Sequence, residues 1–192
     1  DVETTPQTFI NETRIGGYDA LRQHFGKKVK AKDETSYQPV LAVFGVAALL
    51  ALAISWMLGE GLLSIRTAEL FIAISMSILA LLKLQDVESF STMFLNYDLL
   101  ARRGGPYSYV YPFGELLAGV LMVAGAMLWL AIPVALFIGT VGAVSVLKAV
   151  YIDKRELKCA CVGGGSNVPL GFVSLTENLM MIAMGLWMFR YF

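Results

Sequence analysis

Apolar residues in this chain run in long uninterrupted blocks instead of alternating with polar ones. Val40 to Gly59 carries no charge, and neither does Leu70 to Leu82. Leu116 to Leu147 is charge-free for 32 residues, and Gly171 to Phe189 holds only Glu177. About 20 mainly apolar residues suffice for a helix to cross a bilayer, so these blocks predict membrane helices. At about 1.5 Å per residue the longest block would measure about 48 Å, well beyond a hydrocarbon core of about 30 Å. It must fold back, and Pro133, suited to the first turn of a helix, is expected to open the second arm after a tight turn around Ala131. Five spans result, at 39–59, 68–84, 108–130, 133–152 and 170–190.

Composition agrees. Hydrophobic residues make up 57% of the 192 positions and charged residues 16%, with a mean hydropathy of +0.65. Soluble chains average about 25% charged residues. A net charge of zero and the lack of a basic, aromatic-rich stretch give no sign of nucleic acid as a partner. Lysine and arginine number six in 1–38, one in 59–67, three in 83–106, none at the Ala131 turn, four in 148–169 and one at the C-terminus. Rich and poor segments alternate. The positive-inside rule then predicts a multi-pass protein of the cell (inner) membrane, with the N-terminus and the 148–169 segment in the cytoplasm.

Residues 1–26 are polar and read as a small separate piece. Gln7 to Ile10 predicts a strand, Asn11-Glu12 a turn and Thr13 to Ile15 a returning strand. Gly16-Gly17 then breaks the chain before an amphipathic helix with Tyr18, Leu21 and Phe25 on one stripe. A lone hairpin is marginal in water, so this piece needs a partner or more chain. The run Thr5-Pro6-Gln7-Thr8-Phe9-Ile10, followed by Arg14-Ile15-Gly16-Gly17-Tyr18-Asp19-Ala20-Leu21, closely resembles the second half of a glutaredoxin. The resemblance implies a partial thioredoxin-like α/β piece that has lost its upstream half and its nucleophilic cysteine. It also implies glutathione as ligand, with Thr5 and Pro6 on its backbone and Gly17, Tyr18 and Asp19 at its γ-glutamyl end. An acidic cap and free amides at a helix start suit such a group. Residues 27–38, rich in lysine, read as a charged linker near anionic headgroups. The first residue is Asp1, and a fragment or processed product is expected.

Cys159 and Cys161 are the only cysteines, one residue apart in a charged, glycine-rich loop. Such a pair can bond internally as a tight, labile ring, hold a soft metal, or alternate between thiol and disulfide. A polar loop is not expected to be a core position, which favours chemistry over incidental burial. Ionisable residues inside spans point to function by default. Glu115 lies about seven residues into the third span and Glu177 about seven into the fifth, each roughly 10 Å deep. Lys148 lies one turn inside the fourth span and Lys83 closes the second. All four are expected in one layer beneath the cysteine loop, pairing and supplying charge to it, with Lys154, Arg155 and Lys158 adding to the field. A nearby cation favours the reactive, metal-binding thiolate. The opposing reading is that the glutamates and lysines only join helices through buried pairs. Glu69 is expected near the outer face, hydrated or snorkelling. Tyr107, Tyr109 and Tyr111 look like an interfacial belt. Met180, Met181, Met184 and Met188 are expected to pack in the last helix, in preference to binding metal.

Residues 39–192 resemble the MauE/DoxX-like redox-associated membrane family. The residues that carry this are Lys83-Leu84-Gln85-Asp86, Tyr111-Pro112-Phe113-Gly114-Glu115-Leu116-Leu117-Ala118-Gly119 and Lys158-Cys159-Ala160-Cys161-Val162-Gly163. They are similar to that family's K-x-x-D ending, P-x-x-E-x-x-x-G helix and C-x-C-x-G loop. The resemblance implies disulfide maturation of a client, as in methylamine metabolism, although Ala160 and Val162 stand where the best-known version has glycine and an aromatic. The leading expectation is a membrane-anchored thiol–disulfide redox protein, glutaredoxin-linked, passing electrons to a client or acceptor protein, or to a quinone. The alternative is binding or transport of a soft metal, Cu(I) or Hg(II), by the C-x-C thiolates. A third reading is a tether that holds a glutaredoxin near its client.

Overall fold

The computed structural model describes residues 7–26, 37–157, 159 and 168–191. The chain forms two compact units, Asp1–Glu34 and Thr35–Phe192.

In the first unit, strands β1 (Thr8–Ile10) and β2 (Thr13–Gly16) pair antiparallel, with Phe9 opposite Arg14 and Ile10 opposite Thr13. Asn11 and Glu12 both have positive φ, 48° and 63°, as a two-residue turn matched to the twist of a hairpin requires. The Arg14 guanidinium donates to Gln7 Oε1 at 2.8 Å. Gly16, at φ 114°, leads into helix α1 (Tyr18–His24). The expected strands and helix are therefore present, but the sheet has two strands, and nothing among the described residues extends it into a thioredoxin-like sheet. The N-cap is Gly17, which has no side chain to cap with. Asp19 is the second helical residue, so the expected acidic cap is not the capping residue. Thr5, Pro6 and most of the 27–38 linker lie outside the described residues.

Among the described residues the second unit holds five helices long and apolar enough to cross a membrane: α2 (Gln38–Met57), α3 (Ile65–Gln85), α5 (Pro106–Ala124), α6 (Leu128–Val146) and α7 (Phe172–Met188). Their boundaries follow local chemistry. Pro39 lies in the first turn of α2, and Pro106 opens α5, where a missing N–H costs nothing. Ser64 caps α3 by accepting from the Thr67 amide at 3.2 Å. Thr67 in turn donates to Ser55 Oγ at 2.8 Å and ties α3 to α2.

The long apolar block turns earlier than expected. Gly125 (φ 63°) and Met127 (φ 47°) both adopt the left-handed conformation, and α6 starts at Leu128. Glycine supplies that conformation without steric cost, so the turn falls there, and Pro133 stays inside α6. Ala131 is correspondingly a buried helical residue. An interior proline is tolerated in a membrane helix whose neighbours satisfy the freed carbonyl.

An element the spans do not predict, α4 (Val87–Leu95), follows α3 directly. Asp86 ends one helix and caps the next, accepting from the Ser89 amide at 2.9 Å. α4 lays Phe90 and Phe94 into the main core. At its far end α6 continues as a π-helical turn, Leu147–Ile152.

Small residues bring the helices together. A Cβ on Gly119 would lie 2.6 Å from Ser77 Oγ and 3.0 Å from the Ala73 carbonyl, so α5 touches the backbone of α3 there. Gly139 and Gly142 of α6 stand in the same relation to Asn178 of α7. Close backbone approach at small residues is how membrane helices gain contact when lipid is as apolar as their side chains. Met181, Met184 and Met188 fill the core between them.

Candidate functional site

Three helices each send one ionisable side chain into the same layer. Lys83 Nζ, on the last turn of α3, donates to Glu115 of α5 at 2.8 and 2.6 Å and to Glu177 of α7 at 2.6 Å. Side-chain exposure is 3% for the lysine, 0% for Glu115 and 5% for Glu177. One ammonium thus faces two carboxylates with almost no water to share the charge. Removing a partner from such a buried pair is far costlier than replacing the whole group by neutral residues.

The walls of the layer are aromatic. The Tyr111 ring centroid lies 5.5 Å from Lys83 Nζ, within cation–π range. Tyr111 packs in turn on Phe90 and Phe94 of α4, with centroids 5.9 and 4.7 Å away. Beside them is a cavity of about 10 Å³, bordered by Lys83, Tyr97, Tyr111, Gly142, Glu177 and Asn178. That is room for about one water. Asn178 donates to the Ser174 carbonyl at 2.7 Å, while its Oδ1 is buried without a protein partner. A single water there would satisfy it.

Tyr97 follows α4 and lies outside the spans. Burial, reinforced by the charges of Glu177, Asp98 and Glu115, holds its phenol well above the usual range, so it stays a neutral donor. Asp98, fully enclosed, accepts from the amides of Leu100 (3.0 Å) and Ala101 (2.8 Å) and from Ser145 Oγ (2.9 Å). Burial raises its carboxyl above the ordinary value, and these three hydrogen bonds oppose the rise.

Cys159 is 0% exposed and belongs to the same core as Phe90, Phe94, Tyr97 and Tyr111. The expectation that the C-x-C loop is not a core position is therefore wrong for this cysteine. The reason is a backbone clamp: Cys159 N–H donates to the Val168 carbonyl and Leu170 N–H to the Leu157 carbonyl, both at 2.7 Å. The clamp holds Cys159 and Val168 side by side in the core. Cys159 is disulfide-bonded, and the only other cysteine of the sequence, Cys161, lies outside the described residues, as do Lys158 and Ala160.

The expected layer of four charges contains three. Lys148 is exposed, on the face of α6 that carries Val141 and Val144, and takes no part in it. Lys154 and Arg155 are also exposed, and the Arg155 guanidinium donates to the Asn96 carbonyl at 2.7 Å. Two further expectations fail elsewhere in the bundle. Glu69 is neither hydrated nor snorkelling: it is 5% exposed, pairs with Arg66 at 3.1 Å and accepts from Trp187 Nε1 at 2.9 Å. Arg66 makes its burial possible by also bonding the Val123 carbonyl at 3.0 Å. Of the three tyrosines expected in an interfacial belt, Tyr109 is at the surface, whereas Tyr111 is buried against Lys83.

Sequence reading missed Tyr97, Asn178 and the aromatic wall. Asp86 and Ser89 at helix-capping spacing, followed by Phe90, Phe94 and Tyr97 at i, i+4 and i+7, were the available signal.

Five apolar helices around a buried three-residue ionic layer define a multi-pass helical membrane protein. The family model described as Methylamine utilisation protein MauE matches residues 60–191, which include all three ionic residues and Cys159. The chain belongs to that family. No curated protein and no solved structure matches it.

Proposed function

We propose that this MauE family protein is a membrane thiol–disulfide redox protein working on a client of methylamine utilisation. The observation that carries the reading is the disulfide at Cys159, in a chain with one other cysteine, seated in the aromatic core that also walls the Lys83–Glu115–Glu177 layer. In the oxidising direction a client thiolate attacks the Cys159–Cys161 disulfide and forms a mixed disulfide. The client's second thiolate then displaces the protein's sulfur. The client is oxidised to a disulfide, and two electrons and two protons leave both protein cysteines as thiols. Because Cys159 is enclosed, the first attack is assigned to Cys161.

Reoxidation needs a two-electron acceptor, for which a quinone in the bilayer or a partner protein qualifies. A glutathione-linked glutaredoxin in its dithiol form would reduce the disulfide by the same exchange in the client's place, and the resulting protein dithiol, running the exchange in reverse, would reduce a client disulfide, which gives the N-terminal unit its proposed place. The positive-inside rule puts that unit and the cysteine segment on the cytoplasmic side of the inner membrane. The Lys83 layer is proposed to favour thiolate over thiol at Cys159.

The test is a thiol-trapping gel shift in membranes, titrated against a glutathione redox buffer and repeated with Cu(I). A reversible two-electron transition, lost in Cys159→Ser and Cys161→Ser, is the expected result. Cysteines that stay reduced across the titration yet become protected by Cu(I) would overturn it in favour of soft-metal binding.

A further inference from the structure

Lys148 leaves the ionic layer for a groove of about 400 Å³ on the outer face of the bundle. One wall is α6 and its π-helical continuation, through Val141, Val144 and Lys148, and the other is the turn before α5, through Leu99, Leu100 and Arg103. The walls are bonded together. Ser145 Oγ accepts from the Leu99 amide at 3.0 Å and donates to Asp98, which itself holds the turn through Leu100 and Ala101. The groove is thus shaped before anything enters it.

Its chemistry is unbalanced. Arg103 and Lys148 are both exposed, and among the described residues neither has a carboxylate partner; the ion pairs there are Arg66–Glu69, Lys83–Glu115 and Lys83–Glu177. The remaining lining is almost wholly apolar, and Val144 is half exposed within a membrane-spanning helix. A guanidinium offers a planar fork to phosphate oxygens, and an ammonium adds a mobile point charge. Free phosphate would satisfy both cations but leave the Leu99, Val141 and Val144 surface uncovered. A molecule with an anionic phosphodiester head and an acyl tail satisfies the cations and covers that surface together.

We infer that the groove between Arg103 and Lys148 is a binding site for one anionic phospholipid, its phosphate held by the two cations and its acyl chain lying along Val141 and Val144. Zwitterionic lipid fits worse, because its own ammonium competes for the same phosphate. The site does not depend on the redox reading.

The experiment is native mass spectrometry of the full chain in detergent, titrated with phosphatidylglycerol or with phosphatidylcholine. Wild type is expected to hold one phosphatidylglycerol in preference to phosphatidylcholine. Arg103→Gln and Lys148→Gln should each lower that preference about fivefold, in line with the contribution of one basic residue at an anionic surface. Lys148→Arg should retain it, as should Arg102→Gln, which removes a neighbouring exposed cation outside the groove. Equal losses in Arg102→Gln and Arg103→Gln would overturn the site in favour of diffuse surface charge. Displacement of the lipid by equimolar inorganic phosphate would overturn it in favour of a soluble anion. Neither glutamine variant removes a hydrogen bond seen among the described residues, so unfolding in phosphatidylcholine should match wild type.

Discussion

Replacing Lys83 by methionine is the sharpest test of the ionic layer. The side chain keeps its length but loses the ammonium that lies 2.6–2.8 Å from three carboxylate oxygens. Glu115 and Glu177 would then share a nearly dry layer with no cation. Breaking a buried pair by removing one partner costs about 3–5 kcal/mol. For a chain of this length each kcal/mol shifts the melting temperature by about 2–4 °C, so Lys83→Met should lower it by about 6–20 °C. Circular dichroism of the purified full chain in detergent reads this directly. The companion variant Lys83→Met/Glu115→Gln/Glu177→Gln removes every charge from the layer and should recover most of the loss, since neutral replacements of a whole buried cluster are often tolerated. A single variant within about 2 °C of wild type would refute the electrostatic reasoning. So would a triple variant as unstable as the single one, because the cost would then be packing.

Other outcomes follow from the same geometry. Gly142→Ala drives a Cβ into the Asn178 amide and Gly119→Ala drives one against α3 backbone, so each should destabilise by about 1–3 kcal/mol, whereas Gly45→Ala, with open space around it, should be neutral by the same melting assay. Glu69→Ala removes the acceptor of the Trp187 indole and the partner of Arg66; in a Trp56→Phe/Trp129→Phe background the remaining tryptophan emission should shift, and stability should fall by about 1–3 kcal/mol. Asp98 binds its proton more tightly folded than unfolded, so its contribution to stability declines as pH rises from the ordinary carboxylate range through its raised folded value. Asp98→Asn should flatten that part of a stability–pH profile, and an unchanged slope would assign the dependence elsewhere.

The number of spans was legible because bilayer thickness sets helix length, and uncharged blocks of that length have no other stable home. Their ends were less so. Pro133 is a strong local marker, yet the chain turns at Gly125, where the left-handed backbone is formed, because a proline near a helix start is permitted without being required. α4 was hidden for a different reason. Its nine residues are too few to span a membrane, and a search for long apolar blocks passes over a short helix whose aromatic stripe packs beneath the spans.

Depth along a helix and direction around it are separate quantities, and the ionic residues divide along that line. Lys83, Glu115, Glu177 and Lys148 all lie within about three turns of the same end of the bundle, so depth alone groups them. Direction separates them. Glu115 shares a stripe with Ala118, Gly119 and Met122, and Glu177 with Val173, Met181 and Met184, all buried. On α6 the corresponding stripe is Ala135, Gly139 and Gly142, and Lys148 falls on another face with Val141 and Val144. In a membrane, hydrophobicity does not mark the inner face, since both faces are apolar; small residues do, because they let backbones approach. Phasing each charge against the glycine and alanine stripe of its own helix would have kept Glu115 in the layer and excluded Lys148. The residue that joins the two glutamates, Lys83, sits where α3 gives way to Asp86 and α4, so the helix that escaped sequence reading follows directly on the turn that closes the site.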